Sequence, residues 1–146
     1  MEIKKNEDIR WKQRYANYAN MVKLLNVNLP GKDICDFNEL EQVGLAKSFE
    51  LAFELSWKLI KDYLEFLEVD IGIISPKNVL QTAGSAGLLE KMNVNGDILM
   101  NAHRARNHLV HVYDPEFIHT MDRMKKEYLP QLINIEEFFH EELNHE

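Results

Sequence analysis

The chain has 146 residues, of which 17 are lysine or arginine and 24 are aspartate or glutamate, so its formal net charge is −7. Hydrophobic residues make up 45% of it and charged residues 28%, which is ordinary for a globular protein and argues against a disordered one. Six glycines and four prolines are too few for the many turns of an all-β fold. The acidic balance argues against a protein that coats nucleic acid, but it leaves room for a local basic site. We expect residues 1–146 to form a single domain.

The cysteine content and the hydrophobic pattern of the chain indicate its cellular compartment. Cys35 is the only cysteine, which excludes an internal disulfide framework and most cysteine-based zinc sites. Residues 1–8 are charged and lack the apolar run of a secretory signal. No stretch reaches the roughly 18 uncharged apolar residues that a membrane span needs. We therefore expect a cytoplasmic protein without membrane attachment.

The first predicted helix covers residues 5–28. Its large apolar side chains recur at steps of three or four residues, as one buried helical face requires; they are Trp11, Tyr15, Tyr18, Val22 and Leu25. A proline and a glycine directly after Leu29 end this helix. A second helix is predicted over residues 38–69, where two adjacent apolar stripes indicate a central helix that several neighbours contact.

Capping signals predict the remaining helices. Ser75 followed by Pro76 is typical of an N-cap and a first helical residue, and it begins a short helix that glycines within residues 84–87 interrupt. Two longer helices follow: Asn95 to about Tyr113, and residues 115–143 with a kink at Pro130. The sequence therefore predicts an all-α fold, an antiparallel bundle of four long helices with one additional short helix.

The segment from His103 to His111 is the most unusual part of the chain. It contains two arginines and three of the six histidines, and it contains no acid. The planar fork of arginine suits phosphate, and histidine transfers protons near neutral pH. The segment is therefore either a phosphate-handling site or a solvated basic helix end whose cations complement the helix dipole.

The spacing within this segment limits how its side chains can meet. Arg106 and Tyr113 are seven residues apart and share a helical face, whereas Arg106 and His111 are five apart and lie about 140° apart around an ideal helix. Two arrangements would bring the second pair together. The helix could loosen before Pro115, since the residue before a proline is pushed out of helical geometry. Alternatively, Arg106 and His111 from two chains could meet at a two-fold axis.

Two glutamates and a pair of histidines each allow two interpretations. Glu50 and Glu54 either line a pocket that faces the arginines or form an exposed edge, with Glu54 paired to Lys58. The spacing of His108 and His111 can hold a metal on a helix, but the surrounding sequence offers too few acids to complete a ligand set. We therefore predict neither a metal nor another cofactor.

The pattern Arg106-x4-His111-x-Tyr113 resembles the Arg-x4–6-His motif of HEPN domains, in the form found in HepT-like toxins. Residues 44–65, GLAKSFELAFELSWKLIKDYLE, are similar to the central helix of the nucleotidyltransferase substrate-binding protein family. Shorter segments of that family follow in the same order: Ser75-Pro76-Lys77, Gly87-Leu88-Leu89 and Arg106-Asn107. The resemblance covers about residues 8–140, although residues 96–101 lack the tryptophan expected before the Arg-Asn pair.

The resemblance implies a HEPN-type bundle that acts as the substrate-binding or partner subunit of a separate minimal nucleotidyltransferase, encoded by a neighbouring gene. It implies a two-component module of toxin–antitoxin type, and a homodimer or a heterotetramer with the transferase that meets RNA or a nucleotide. The chain is not itself the transferase, because Gly84-Ser85 is not followed by the Asp-x-Asp pair that binds the catalytic metals of such enzymes.

The resemblance also implies roles for individual residues. In HepT-like relatives the arginine and histidine of the motif cleave RNA without a metal. Carried over, Arg106 would stabilise charge on the phosphorane and His111 would be the general base or acid, while Tyr113 would be the hydroxyl that the transferase adenylylates to silence cleavage. The predicted substrate-binding residues are Arg104, Asn107, His108, Glu50 and Glu54. An active ribonuclease toxin and a purely structural docking dimer therefore stand as alternatives to a partner subunit.

Overall fold

The computed structural model describes the backbone of residues 2–145 and the side chains of residues 8–145. The described backbone is helical, with connecting turns and no β-strand, so the predicted all-α fold is confirmed. The α-helices are α1 (Glu2–Asn28), α2 (Glu39–Phe66), α3 (Pro76–Ser85), α4 (Leu88–Lys91), α5 (Gly96–Ala105), α6 (Phe117–Arg123) and α7 (Leu129–Asn144). Two 3₁₀ turns and one π turn complete the helical segments: Ile34–Asp36, Arg106–Leu109 and Met124–Tyr128.

Three long helical segments pack side by side and define the bundle. Trp11 near the start of α1 packs against Tyr63 near the end of α2, with the ring centroids 5.4 Å apart, so these two helices run antiparallel. Trp11 also packs against Phe139 near the end of α7, whereas Tyr18 further along α1 bonds the backbone of Leu132. Helix α7 is therefore antiparallel to α1 and parallel to α2, as a helical bundle requires.

The apolar stripes that the sequence shows are the core of this bundle. All five large side chains predicted for the buried face of α1 are buried, with at most 6% of any of them exposed. Helix α2 buries residues on two adjacent faces because it contacts α1, α3 and α7. Its start is fixed by a capping box, in which the Asn38 side chain accepts from the Glu41 N–H and the Glu41 carboxylate accepts from the Asn38 N–H.

The predicted helix from Asn95 to about Tyr113 is wrong in its extent. Helix α5 ends at Ala105, and the next four residues form a tighter 3₁₀ turn before the chain bends. The turn begins where the Arg106 side chain bonds the His103 carbonyl and Glu54 on α2. Further along, Pro115 disfavours helical geometry at Asp114, whose carboxylate accepts the Glu116 N–H at 2.8 Å. The segment that follows Ala105 therefore forms a turn and does not continue the helix.

The last helical segment begins at Phe117, two residues later than predicted. The distortion expected at Pro130 takes the form of a π turn just before it, in which the Leu129 N–H bonds the Met124 carbonyl five residues back. Proline has no N–H to continue the regular ladder, so the extra residue is accommodated there.

None of the described helices combines the length and the unbroken apolar character that crossing a membrane requires.

Candidate functional site

Arg106 lies at the junction between α5 and the following 3₁₀ turn, and its side chain points towards α2. Its Nη1 donates to Glu54 Oε1 at 2.6 Å, and its Nε donates to the His103 carbonyl at 3.3 Å. The guanidinium also lies 5.6 Å from the centroid of the Phe53 ring, within the range of a cation–π contact. The structure therefore holds Arg106 with a carboxylate, a carbonyl and an aromatic face.

Glu54 is a shared acceptor. Besides Arg106, it contacts Lys58 Nζ at 3.6 Å and accepts from Trp57 Nε1 at 3.3 Å. One carboxylate thus faces both the arginine and the i,i+4 lysine. Glu50 is not part of the group, since its carboxylate lies 3.7 Å from Lys47 Nζ. Arg106 therefore shares its carboxylate partner, Glu54, with Lys58.

His103 belongs to the same cluster, although sequence analysis did not single it out. Its ring stacks on Phe53 with centroids 5.6 Å apart and planes 25° apart, and its buried Nδ1 has no hydrogen-bond partner among the residues that the structure describes. Burial lowers the pKa of His103, as does the Arg106 cation, while Glu54 partly opposes them. Its position three residues before Arg106, one helical turn away, was the only sequence signal that could have found it.

Arg104 does not join Arg106. Two residues correspond to about 200° around a helix, so the two arginines leave α5 on different sides. Arg104 lines a separate cavity between α3 and α5, where its Nη1 donates to Asn101 Oδ1 at 3.1 Å. The two predicted arginines therefore belong to different surfaces.

The polar residues Asn107, His108 and His111 are exposed, whereas Leu109 of the 3₁₀ turn is buried. His108 Nδ1 lies 3.3 Å from Asp114 Oδ2, and the pKa of Asp114 is lowered mainly by the Glu116 N–H bond and then by His108. Within residues 8–145, the structure gives neither Asn107 nor His111 a side-chain hydrogen bond. The helix does loosen here, yet no hydrogen bond joins Arg106 to His111.

Tyr113 is the most accessible aromatic residue of the site. The other four tyrosines are buried, whereas 83% of Tyr113 is exposed. Its Oη donates to Glu39 Oε1 at 2.8 Å, and this hydrogen bond raises the pKa of Tyr113 above the usual value of 10.0. Glu39 lies in the first turn of α2, so the segment meets α2 at Glu54 and again at Glu39.

No group of three potential metal ligands gathers among the residues that the structure describes.

A family model described as nucleotidyltransferase substrate binding protein like matches residues 13–141 of the chain. The match includes α2, the 3₁₀ turn Arg106–Leu109, Tyr113 and most of α7. No curated protein matches the chain.

Proposed function

The chain belongs to the nucleotidyltransferase substrate-binding protein-like family, and from this membership we propose that it is the partner subunit of a minimal nucleotidyltransferase encoded by a neighbouring gene. Association with a nucleotidyltransferase is what the family implies. The finer proposal is that the two proteins form a toxin–antitoxin-like module in which the transferase modifies this chain at Tyr113. The accessible phenol of Tyr113, hydrogen-bonded to Glu39, is the observation that carries it.

Glu39 supplies the proton acceptor that such a modification needs. In the proposed step, Tyr113 Oη attacks the α-phosphorus of ATP held by the transferase, and the bond from that phosphorus to the leaving pyrophosphate breaks. The phenolic proton passes to the carboxylate that already accepts it, Oε1 of Glu39, 2.8 Å away. The product is an adenylylated tyrosine, with pyrophosphate released.

An apolar face of α2 is suited to receive the transferase. Leu40, Val43 and Leu51 are 81%, 47% and 45% exposed, and their spacing places them on one side of the helix. Glu54 continues the same side, because it follows Leu51 by three residues. A transferase bound there would lie beside Tyr113, since that tyrosine bonds the residue next to Leu40. Lys47, whose side chain is 69% exposed, lies between Val43 and Leu51 on the same side. Non-obligate protein interfaces are about as apolar as the rest of a protein surface, so this mixed composition fits a partner.

The geometry favours this partner role over a ribonuclease built from one chain. Glu54 is bonded to the guanidinium of Arg106 and would compete with a phosphate for it. Among the described residues, no hydrogen bond joins His111 to Arg106. In the ribonuclease alternative, Arg106 of one chain would have to pair with His111 of a second copy. That alternative therefore includes a homodimer. It would also need Glu54 to release Arg106.

Capture of the transferase tests the main proposal. The tagged chain is co-expressed with the neighbouring nucleotidyltransferase, and we expect the two to co-purify. Leu51→Asp, on the apolar face, should abolish capture, whereas Ile73→Asp, an equally apolar position that is 81% exposed in the connection after α2, should not. Failure of the wild-type chain to bind, or equal binding by both variants, contradicts the proposal.

Incubation with RNA tests the ribonuclease alternative. Without divalent metal, we expect the purified chain to leave RNA intact, as Arg106→Ala and His111→Ala should also do. Cleavage by the wild-type chain that both substitutions abolish would instead establish the ribonuclease.

A further inference from the structure

A cavity of about 610 Å³ lies between α3 and α5, on the side of α5 away from the Arg106 cluster. Its polar rim comes from two helices, with Lys77 and Gln81 on α3 and Asn101 and Arg104 on α5. Buried apolar side chains form its floor, among them Leu80. Its volume lies within the roughly 300–1,000 Å³ typical of small-molecule sites.

One end of the cavity is closed by Leu89. A Cβ atom added to Gly96 would lie 3.2 Å from Leu89 Cδ1, and one added to Gly84 would lie 3.7 Å from the same atom. The end of α3 and the start of α5 therefore meet at this leucine. The absence of side chains at both glycines lets Leu89 pack closely against the two helix ends.

The two cations of the rim lie away from the closed end. Lys77 is seven residues before Gly84, and Arg104 is eight after Gly96, which is about 10–12 Å along each helix. Among the residues that the structure describes, neither cation has a carboxylate partner, and Arg104 is oriented by its bond to Asn101. Two cations at the same end of a cavity, neither of them paired with a carboxylate among the described residues, favour an anionic ligand there.

The closed end has the opposite character. Asp97 lies one residue after Gly96, so its negative charge disfavours an anion there. The first N–H groups of α5 are already satisfied, because Asn95 Oδ1 accepts from Asp97 and Ile98. An anionic group would therefore bind at the Lys77 and Arg104 end and the rest of the ligand would extend towards Leu89.

We propose that this cavity binds a phosphate monoester with a planar, hydrogen-bonding body. The phosphate lies between Lys77 and Arg104, where each cation donates to its oxygens. The body rests on Leu80 and Met100, and the amides of Gln81 and Asn101 contact its edge. Adenosine monophosphate is the probe that combines these features. The proposal does not depend on the transferase partnership, because none of these residues belongs to the Arg106 cluster or to the apolar face of α2.

Calorimetric titration of the full chain tests the proposal with four compounds: adenosine monophosphate, glucose 6-phosphate, inorganic phosphate and adenosine. We expect the monophosphate to bind most tightly, because it alone offers both an anion and a planar body. Lys77→Ala and Arg104→Ala should each weaken its binding about tenfold, as expected for the loss of one charge-assisted hydrogen bond. Gln81→Trp should narrow the cavity at its rim and weaken binding while keeping both cations.

Matched controls separate the site from general charge. Lys91→Ala and Arg10→Ala remove the same charges at exposed positions outside the cavity, and both should bind like wild type. No binding of any phosphate compound, or equal weakening by the controls, overturns the proposal. Equal affinity for inorganic phosphate and the monophosphate overturns the assignment of a planar body. Capture of the transferase is measured on the same variants. Failure of ligand binding in the cavity can then be distinguished from failure of the transferase partnership.

Discussion

Arg106 and Glu54 are 52 residues apart in the sequence and form an ion pair of 2.6 Å that joins the end of α5 to the middle of α2. The pair fixes the start of the 3₁₀ turn on the central helix. It also decides how much cationic character the segment presents to a phosphate, since the carboxylate and the phosphate would use the same guanidinium.

We expect a modest coupling energy between these two residues. Their side chains are 30% and 35% exposed, so water screens the pair and a double-mutant cycle with Arg106→Ala and Glu54→Gln should give about 0.5–1 kcal/mol. Urea unfolding of the four proteins measures it. The Lys47 and Glu50 pair, at 3.7 Å and with Lys47 69% exposed, serves as the control and should show a coupling near zero. Equal coupling in both pairs would contradict the distinction.

The charge state of His103 should depend on Arg106. Burial and the arginine both lower the pKa of His103, so Arg106→Ala should raise it, and the freed Glu54 carboxylate should raise it further. Titration of the imidazole resonances by NMR measures the shift. An unchanged pKa of His103 would show that the arginine does not act on it.

The same histidine should make the fold sensitive to acid. Its folded pKa lies below the unfolded value near 6.5, so the unfolded chain binds more protons between the two values. The stability contributed by neutral His103 is present above pH 6.5 and is lost as pH falls towards the folded pKa. Between pH 7 and pH 5, wild type should therefore lose more free energy of unfolding than His103→Phe, which keeps the contact with Phe53. Parallel pH profiles would contradict this.

Glu39 should control both the acidity and the modification of Tyr113. In Glu39→Gln the carboxylate that raises the pKa of Tyr113 is gone, so this pKa should fall towards 10.0, as NMR of labelled tyrosine can measure. Mass spectrometry after incubation with the transferase and ATP should show slower adenylylation, and none in Tyr113→Phe. Glu41→Gln, two residues after Glu39 and placed in the capping box, is a control for charge on α2. Modification of Glu39→Gln at the wild-type rate would exclude Glu39 as the proton acceptor.

Because Asp62 is a buried carboxylate on α2, substitutions of Asp62 and of its partner Arg14 should lower the free energy of unfolding by different amounts. Asp62 is 1% exposed and accepts from Arg14 Nε at 2.6 Å, with Lys61 Nζ at 3.4 Å. Arg14→Ala leaves a buried charge with a poorer partner and should cost about 2 kcal/mol, whereas Asp62→Asn keeps the shape without the charge and should cost about 1 kcal/mol. Chemical unfolding compares them, with Arg10→Ala on the same helix as the control. The reverse order would show that the arginine contributes little.

Local patterns were sufficient to predict the helices. Trp11 and Tyr18 were predicted to face the core because apolar spacing reports the buried side of a helix directly, and the Ser75 cap marked the start of α3 because the side-chain bond is local. The extent of α5 was missed, since the turn after Ala105 is accompanied by the bond of Arg106 to Glu54 on another helix. Periodicity along the sequence does not report such a contact between helices.

The site was predicted only in part, for a similar reason. The contact of Glu54 with an arginine was one of two interpretations, and the sequence alone did not choose between them. The separation of Arg104 from Arg106 follows from the helical period, but the cavity that receives Arg104 depends on α3 and on Leu89. His103 owes its environment to Phe53 on another helix, which no local pattern reports.

The segment from Arg106 to Tyr113 is tied to α2 at both ends, by Glu54 and by Glu39. These carboxylates are 15 residues apart, about 22 Å along the helix, so the segment lies along α2 as a tether with two anchors of different chemistry. The anchor at Arg106 is an ion pair, whereas the anchor at Tyr113 depends on a single phenolic proton. Any reaction that replaces that proton removes one anchor and leaves the other in place. Modification of Tyr113 would thereby release the Tyr113 end of the segment from α2, while the Arg106 end stays bonded to Glu54.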